Sequence, residues 1–253
     1  MEISKVCHYI RENIDQNLSL DQLALHFGYS KFHLSRTFKQ QTGYSYKQYV
    51  EALKIERSIV SILNTEGSSK DAFIDSYHES TGTFSNTFKK LTGLSPNLYR
   101  RSLAPLGKTL MHVIKHKGLV VYRNTSAREG GKVYVNLHYP DVHTERVSFI
   151  GLFKNAIPNS APVVGVALYK QTNCVLDCIP KGSYYLLVTE IDLTADIANY
   201  FWLNMNYRAK LDEQVHIYPH TEAHIDLNMR LSLPEDPPIV VNLPLLVKQA
   251  LSK

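Results

Sequence analysis

The chain is expected to form two domains: an all-α N-terminal domain with two helix-turn-helix units joined by a long helix, then an all-β C-terminal sandwich. Three observations lead there. A fifteen-residue stretch, 35–49, returns at 85–99 with eight identical positions: Ser35/Ser85, Thr37/Thr87, Phe38/Phe88, Lys39/Lys89, Thr42/Thr92, Gly43/Gly93, Ser45/Ser95 and Tyr49/Tyr99. Such a repeat of apolar anchors, a helix-stopping glycine and a helix-starting serine marks two copies of one helical unit. Short helices with serine starts surround each copy. Beyond residue 131 the pattern changes to short β-type runs punctuated by Asn, Gly and Pro, as in a sandwich.

The elements follow in order. Ile3, Val6, Cys7, Ile10 and Ile14 recur at helical spacing, so the first helix is expected over about 3–15. Ser19 with Gln22 forms a capping box that starts a short helix ending at Gly28. Ser30 starts the next, which runs to Gly43, and the pair makes a helix-turn-helix. Within it Leu34, Phe38 and Gln41 are read as one face, and Phe32, Ser35, Arg36 and Lys39 as another. Ser45 and Gln48 cap a longer helix to about Asn64. Its roughly 18 residues span about 27 Å, close to the ~34 Å between successive major-groove faces of a duplex. A helix over 70–77, a second reading helix over 80–92 and a closing helix with Pro96 at its first position complete the repeat.

Residues 104–116 are read as a linker within a basic connector that carries Lys108, Lys115, Lys117, Arg123, Arg128 and Lys132 against the single acid Glu129. Strands are expected at 132–139, 145–153, 163–171, 174–179, 184–192, 215–218, 223–233 and 239–243. Only 194–206 and the tail 245–252 are read as helical. The domain bounds are therefore 1–103, 104–116 and 117–253.

Composition excludes more than it assigns. At 253 residues, 20% charged, 44% hydrophobic, net charge +5 and pI near 8.9, bulk charge proves no acidic partner. The distribution is more telling: six Lys/Arg lie between Tyr29 and Arg57, and Lys89, Lys90, Arg100 and Arg101 lie in an acid-free stretch from Thr81 to Arg101. No apolar run approaches eighteen residues, so no membrane partner is expected and the chain is read as soluble and cytoplasmic. Three cysteines make no disulfide framework and are expected reduced. Cys174 and Cys178 lie about 13 Å apart in an extended strand, too far to pair. His216, His220 and His224 meet the same objection as metal ligands, and zinc would need a fourth. No metal, cofactor or catalytic residue is assigned, and no Gly-rich phosphate loop or nucleophile with a recognisable base is present. Tyr200, Phe201, Trp202 and Tyr207, with Met205, fit an apolar ligand pocket, a dimer surface or core packing.

The repeat resembles the AraC/XylS family of bacterial transcription regulators over about residues 3–102. The likeness rests on Leu23-Ala24 through Gly28-Tyr29-Ser30, on the helix from Phe32 to Lys39, on Thr42-Gly43, and on the run from Phe84 through Ser95-Pro96 to Tyr99-Arg100. It implies a double-stranded DNA partner, RNA polymerase among protein partners, and a small-molecule effector. It also implies no enzyme activity, because the family's repair methyltransferases carry a cysteine cluster ahead of the helices and here only Cys7 precedes them. Carried over by position, Phe32, Ser35 and Arg36 in the first unit and Thr81, Ser85 and Asn86 in the second are expected to contact bases. Ser30, Lys31, Lys39, Ser80, Lys89 and Lys90 are expected at phosphates. The second unit departs from the family at Phe73, Tyr77, His78 and Asn86, and carries Gly82 in its helix, so weaker reading is expected there. A scaffold whose second unit no longer reads DNA is the alternative. The likeness of the C-terminal half to transthyretin-like or carboxypeptidase-regulatory-like sandwiches rests on residues 147–153 and 179–186. A monomer or a homodimer fits the sequence equally.

Overall fold

The computed structural model describes residues 1–64, 81–103, 106–125, 127, 129–140, 145–159, 161–192 and 206–252. The expected helix at 70–77, the positions Phe73, Tyr77, His78 and Ser80, the expected helix at 194–206 except for Asn206, and Tyr200, Phe201, Trp202 and Met205 all lie outside the described residues.

The N-terminal helices are α1 (Ile3–Glu12), α2 (Leu20–His26), α3 (Lys31–Thr42), α4 (Tyr46–Asn64), α5 (Thr81–Thr92) and α6 (Pro96–Leu103). The first is shorter than expected, since Asn13 breaks it and Ile14–Gln16 continue as a 3-10 turn. The capping boxes form as read: Ser19 N donates to Gln22 Oε1 at 2.8 Å while Ser19 Oγ accepts from Gln22 N at 3.2 Å. Ser45 and Gln48 repeat it at 2.9 and 3.3 Å.

The sequence repeat becomes a structural one. Gly43 (φ 84) and Gly93 (φ 81) take the left-handed conformation that only glycine adopts cheaply, and each N–H caps its helix at 2.9 Å on Lys39 O or Lys89 O. Thr42 Oγ1 donates to Phe38 O at 2.7 Å, and Thr92 Oγ1 to Phe88 O at 2.8 Å. Phe38 packs on Tyr49 with ring centroids 5.5 Å apart, and Phe88 on Tyr99 at 5.3 Å. All four rings are buried.

Two expectations about the C-terminal half are corrected. Residues 106–117 form helix α7 (Leu106–Lys117): no proline interrupts them, Ile114 is buried, and Gly118 (φ 71) ends the helix by donating to Ile114 O at 2.8 Å. The connector's bases are not left facing solvent alone, since Lys115 pairs with Glu145 at 2.7 Å, Arg123 with Asp177, and Lys132 with Glu222 at 3.5 Å. Residues 239–243, read as a strand, are non-helical coil as far as Asn242. Asn242 Oδ1 then accepts from Leu245 N at 3.0 Å and starts helix α8 (Leu243–Leu251). The apolar run is buried without a ladder because it lies on a sheet face rather than beside an edge.

The strands are β1 (Leu119–Arg123), β2 (Gly131–His138), β3 (Arg146–Phe153), β4 (Val164–Tyr169), β5 (Asn173–Ile179), β6 (Gly182–Asp192), β7 (Tyr207–Lys210), β8 (Val215–Ile217), β9 (Glu222–Asn228) and β10 (Arg230–Leu231). β1 and β7 were not anticipated. The large sheet has the order β1-β4-β3-β6-β7-β10 with β8 also on β6, and the small sheet has the order β5-β2-β9. Val133, Val135 and Leu137 of the small sheet share a buried cluster with Ile150, Leu152, Val166, Leu168, Leu186 and Val188 of the large one. The alternate residues of the large sheet, Phe149, Phe153, Ala167 and Tyr169, belong to a second cluster with the helices. Both faces of that sheet are thus covered, which is why β3 and β4 read as almost unbroken apolar runs.

That second cluster runs without a break from Ile3, Phe38 and Tyr49 through Phe149 to Val240 and Val247. The two halves share a core. The segment 234–239 is bonded to the helices: Arg11 Nε donates to Pro234 O at 3.0 Å, Tyr44 OH to Glu235 O at 2.6 Å, and Ile239 N to Glu56 Oε1 at 2.7 Å. Glu56 is also ion-paired with Arg11 at 3.1 Å, with side-chain exposures of 7% and 13%.

Candidate nucleic-acid interface

Helix α3 is held by its apolar side. Leu34, Phe38 and Thr42 are buried, so the inner face continues to Thr42 and not to Gln41, which is exposed. Ser30 Oγ starts the helix by accepting from His33 N at 3.2 Å. The opposite face carries Phe32, 86% exposed, together with exposed Ser35, Arg36 and Lys39. A single exposed apolar side chain is ordinary on a surface; what distinguishes Phe32 is its place on one face with Arg36 and Lys39. Lys31 is exposed and ion-paired with Asp21 of α2 at 2.7 Å, which fixes the first helix of the unit against the second.

Helix α5 repeats the arrangement. Phe84, Phe88 and Leu91 are buried, Ser85 is half-buried, and Gly82, Asn86, Lys89 and Lys90 are exposed, while Thr81 opens the helix. The structure therefore gathers Phe32, Ser35, Arg36 and Lys39 on one helix face, and exposes Asn86, Lys89 and Lys90 on the corresponding helix.

Between the two lies α4, 19 residues long, or about 28 Å at 1.5 Å per residue. It is anchored through Ala52, Leu53, Ile55, Ile59 and Ile62, all buried. The turn before it lies against the β-rich half: a Cβ at Gly43 would stand 3.3 Å from Ala156 Cβ, whereas at Gly93 it would meet nothing within 4 Å. Among the described residues, the turn of the first unit meets the β-rich half at Gly43 and that of the second does not at Gly93.

Tyr207 lies elsewhere. It packs half-buried on the sandwich cluster, edge-on to Tyr139 at 6.0 Å and beneath the Arg146 guanidinium at 5.2 Å. His216 and His224 face different partners, the first 2.8 Å from Ser183 Oγ and the second stacked on Tyr134 at 4.4 Å. Among the described residues no cluster of His, Cys, Asp or Glu has the makings of a metal site. No described helix is long and apolar enough to cross a membrane. The sequence reading missed the buried set Arg11, Tyr44, Tyr49 and Glu56. A cation and an acid on apolar stripes, at positions a solvated helix face would not use, were the available signal.

A capped helix pair that presents a basic and aromatic face has the form of a helix-turn-helix unit. The model of the helix-turn-helix domain matches residues 23–102. Over 100 residues the chain is 33% identical to the HTH-type transcriptional activator AarP of Providencia stuartii, covering 40% of this chain and 74% of that one. Over 94 residues it is 38% identical to the right origin-binding protein of Escherichia coli, covering 37% of this chain and 32% of that protein. The chain thus spans about a third of the length of that relative. A solved structure, the C-terminal domain of AraT, a response regulator from Geobacillus stearothermophilus, is 29% identical with a TM-score of 0.38, covering 40% of this chain and 86% of that one. The chain belongs to the AraC/XylS family of transcription regulators.

Proposed function

We propose that the chain reads two adjacent major-groove segments, with α3 in one and α5 in the other, and that its β-rich half controls this reading. The observation that carries the first part is the single face of α3 on which Phe32, Ser35, Arg36 and Lys39 stand exposed over a buried Leu34 and Phe38. In that placement Arg36 forks onto guanine O6 and N7, Phe32 packs on a thymine methyl, and Ser35 bonds a neighbouring base edge. Ser30, Lys31 and Lys39 lie toward phosphates, where they fix register without reading sequence. On α5, Ser85 and Asn86 face bases and Lys89 and Lys90 face the backbone, while Thr81 and Ser80 keep the base and phosphate roles that the family resemblance gives them. Control by the β-rich half is supported by the core it shares with the helices and by the Arg11–Glu56 pair to which residues 234–239 are bonded.

The test is a mobility-shift titration on a site selected from a random library. Arg36→Ala should lose about 1–3 kcal/mol of discrimination at one base pair. Lys39→Ala should weaken every duplex alike and lower the salt slope by about one unit. An Arg36→Ala protein with unchanged preference would remove the assignment.

A further inference from the structure

We infer that strand β9 is a docking edge for a second copy of this chain. The two β9 strands pair antiparallel about a two-fold axis at Ile225, so that the small sheet continues from one protomer into its partner.

The ladder to β2 determines which groups of β9 are free. β9 pairs with β2 in parallel from Glu222 to Asn228 without a register shift. Beyond its two ends Lys132 N donates to Thr221 O at 2.7 Å, and Met229 N to His138 O at 2.8 Å. Backbone groups alternate in direction along a strand, so 221, 223, 225, 227 and 229 turn theirs toward β2, and Glu222, His224, Asp226 and Asn228 turn theirs outward. Among the described residues β9 pairs with β2 alone, and those four residues are exposed.

The other sheet edges are blunted. β10, which ends the large sheet, is two residues long, and β1 at the opposite end lies against helix α8. β5 meets β2 with a register shift between Gly131 and Val133, and it carries Cys178 at φ 52. Short length, a covering helix and a bulge are the devices that keep an edge from pairing with another chain. β9 has none of them. It is seven residues long and regular, without proline, glycine, lysine or arginine. Its acids are engaged within the chain, Glu222 with Lys132 at 3.5 Å and Asp226 with His138 at 2.7 Å and Asn136 at 2.9 Å. On the inner side Ala223 and Ile225 pack on the sandwich cluster but stay half-buried, an apolar margin that a further strand would cover.

The charges select both the partner and the register. Outward backbone groups must meet outward groups, so even-numbered residues stand opposite even-numbered ones. An axis at Ile225 sets His224 against Asp226 of the partner subunit, and Asp226 against the partner's His224. It also sets Glu222 against the partner's Asn228 and brings the two Ile225 side chains together on the apolar side. An axis at His224 would oppose Glu222 to Asp226, and one at Asp226 would oppose two aspartates, both destabilising. Registers centred further out pair fewer residues. The His224 ring is held on the outer face by stacking on Tyr134 at 4.4 Å, where its N–H can donate to the partner's carboxylate.

The test is sedimentation equilibrium of the whole protein without DNA, so that the result does not depend on how the helices read a duplex. A species of twice 28.8 kDa is expected, with a dissociation constant on the order of 10–100 µM because one strand pair is a small interface. His224→Pro removes an N–H that the single chain leaves unused; it should preserve the circular dichroism spectrum and weaken the dimer more than about tenfold. His224→Asp places an acid opposite the partner's Asp226 and should weaken the dimer about fivefold. Adding Asp226→His to that variant exchanges the two groups and should restore it. If the proline variant does not fold, the exchange decides. A monomer at about 1 mM, a dimer unchanged by His224→Pro in folded protein, or a double variant no tighter than His224→Asp would overturn the inference.

Discussion

The buried Arg11–Glu56 pair provides the most demanding test of the shared core. Replacing Glu56 by leucine removes an ion-pair contact of 3.1 Å and the acceptor for Ile239 N at 2.7 Å. Breaking one side of a buried pair costs about 3–5 kcal/mol, because the other charge remains in a poor solvent. Arg11 would keep Tyr49 OH at 2.9 Å, Pro234 O at 3.0 Å and Asp236 O at 3.4 Å, so the loss belongs at the low end of that range, about 3 kcal/mol. Burial alone would lower the Arg11 pKa, but Glu56 and Tyr49 outweigh it and the net shift is upward; the guanidinium cannot escape by losing its proton. The double change Arg11→Leu, Glu56→Leu should therefore cost less than the two single changes summed, by at least about 1.5 kcal/mol. Asp15→Ala, which breaks the exposed Arg57–Asp15 pair of 2.8 Å with both side chains 51% exposed, should cost about 0–1 kcal/mol. The assay is urea unfolding of the whole chain followed by circular dichroism, and a core common to both halves predicts one transition for the natural protein. A Glu56→Leu loss below about 1 kcal/mol, or strict additivity in the pair, would refute the claim that this contact holds the halves together.

Three further outcomes are expected. In a base-by-base substitution scan of both half-sites, the half facing α3 should carry most of the sequence information, because Asn86 cannot fork onto guanine; Asn86→Arg should sharpen the other half, and equal penalties in the natural protein would remove the asymmetry. Burial pushes the Cys7 and Cys174 thiols up to about 12, and both side chains are buried, whereas Cys178 is half-buried. A thiol reagent at pH 8 should thus label Cys178 first, and faster labelling of Cys7 in Glu56→Leu would report release of residues 234–239. Burial alone raises the Asp236 pKa, but Arg230, Leu233 N–H and Arg208 outweigh it and the net shift is downward. Its stabilising contribution is present above the ordinary aspartate value of about 3.9 and is lost as pH falls below that toward the depressed value. Asp236→Asn should flatten this acid limb of an unfolding-versus-pH curve, and an unchanged limb would exclude Asp236 as its source.

The helical half was largely legible because its signals are local. A serine and a glutamine three residues apart can satisfy each other's backbone donors without help from the rest of the chain, so Ser19–Gln22 and Ser45–Gln48 appear where the sequence put them. The exposed face of α3 followed from spacing alone, apart from the exchange of Gln41 for Thr42 on the inner side. The β-rich half was harder, since an apolar run has no period when both faces are covered. Val240 and Val241 are as buried as any strand residue, yet they lie across the sheet rather than within it. β7 is four residues long and includes Arg208, 4% exposed, whose burial depends on a cavity assembled from five other elements. Arg11 and Glu56 looked like ordinary helix charges because their partners are far along the chain: Arg11 donates to Glu56 Oε2 and Pro234 O, and Glu56 accepts from Ile239 N, 183 positions beyond it.

That separation has a consequence for the order in which the chain is made. Arg11 and Glu56 leave the ribosome before the amide that completes their site, which follows Glu56 by 183 residues. At about 5–20 residues per second, the wait is about 9–37 s. Throughout that time the apolar surface that Val240, Val241 and Val247 will cover stays wet. The nascent protein therefore passes through a stage in which the N-terminal helices exist without their seal, and the emergence of residues 234–247 decides when that stage ends.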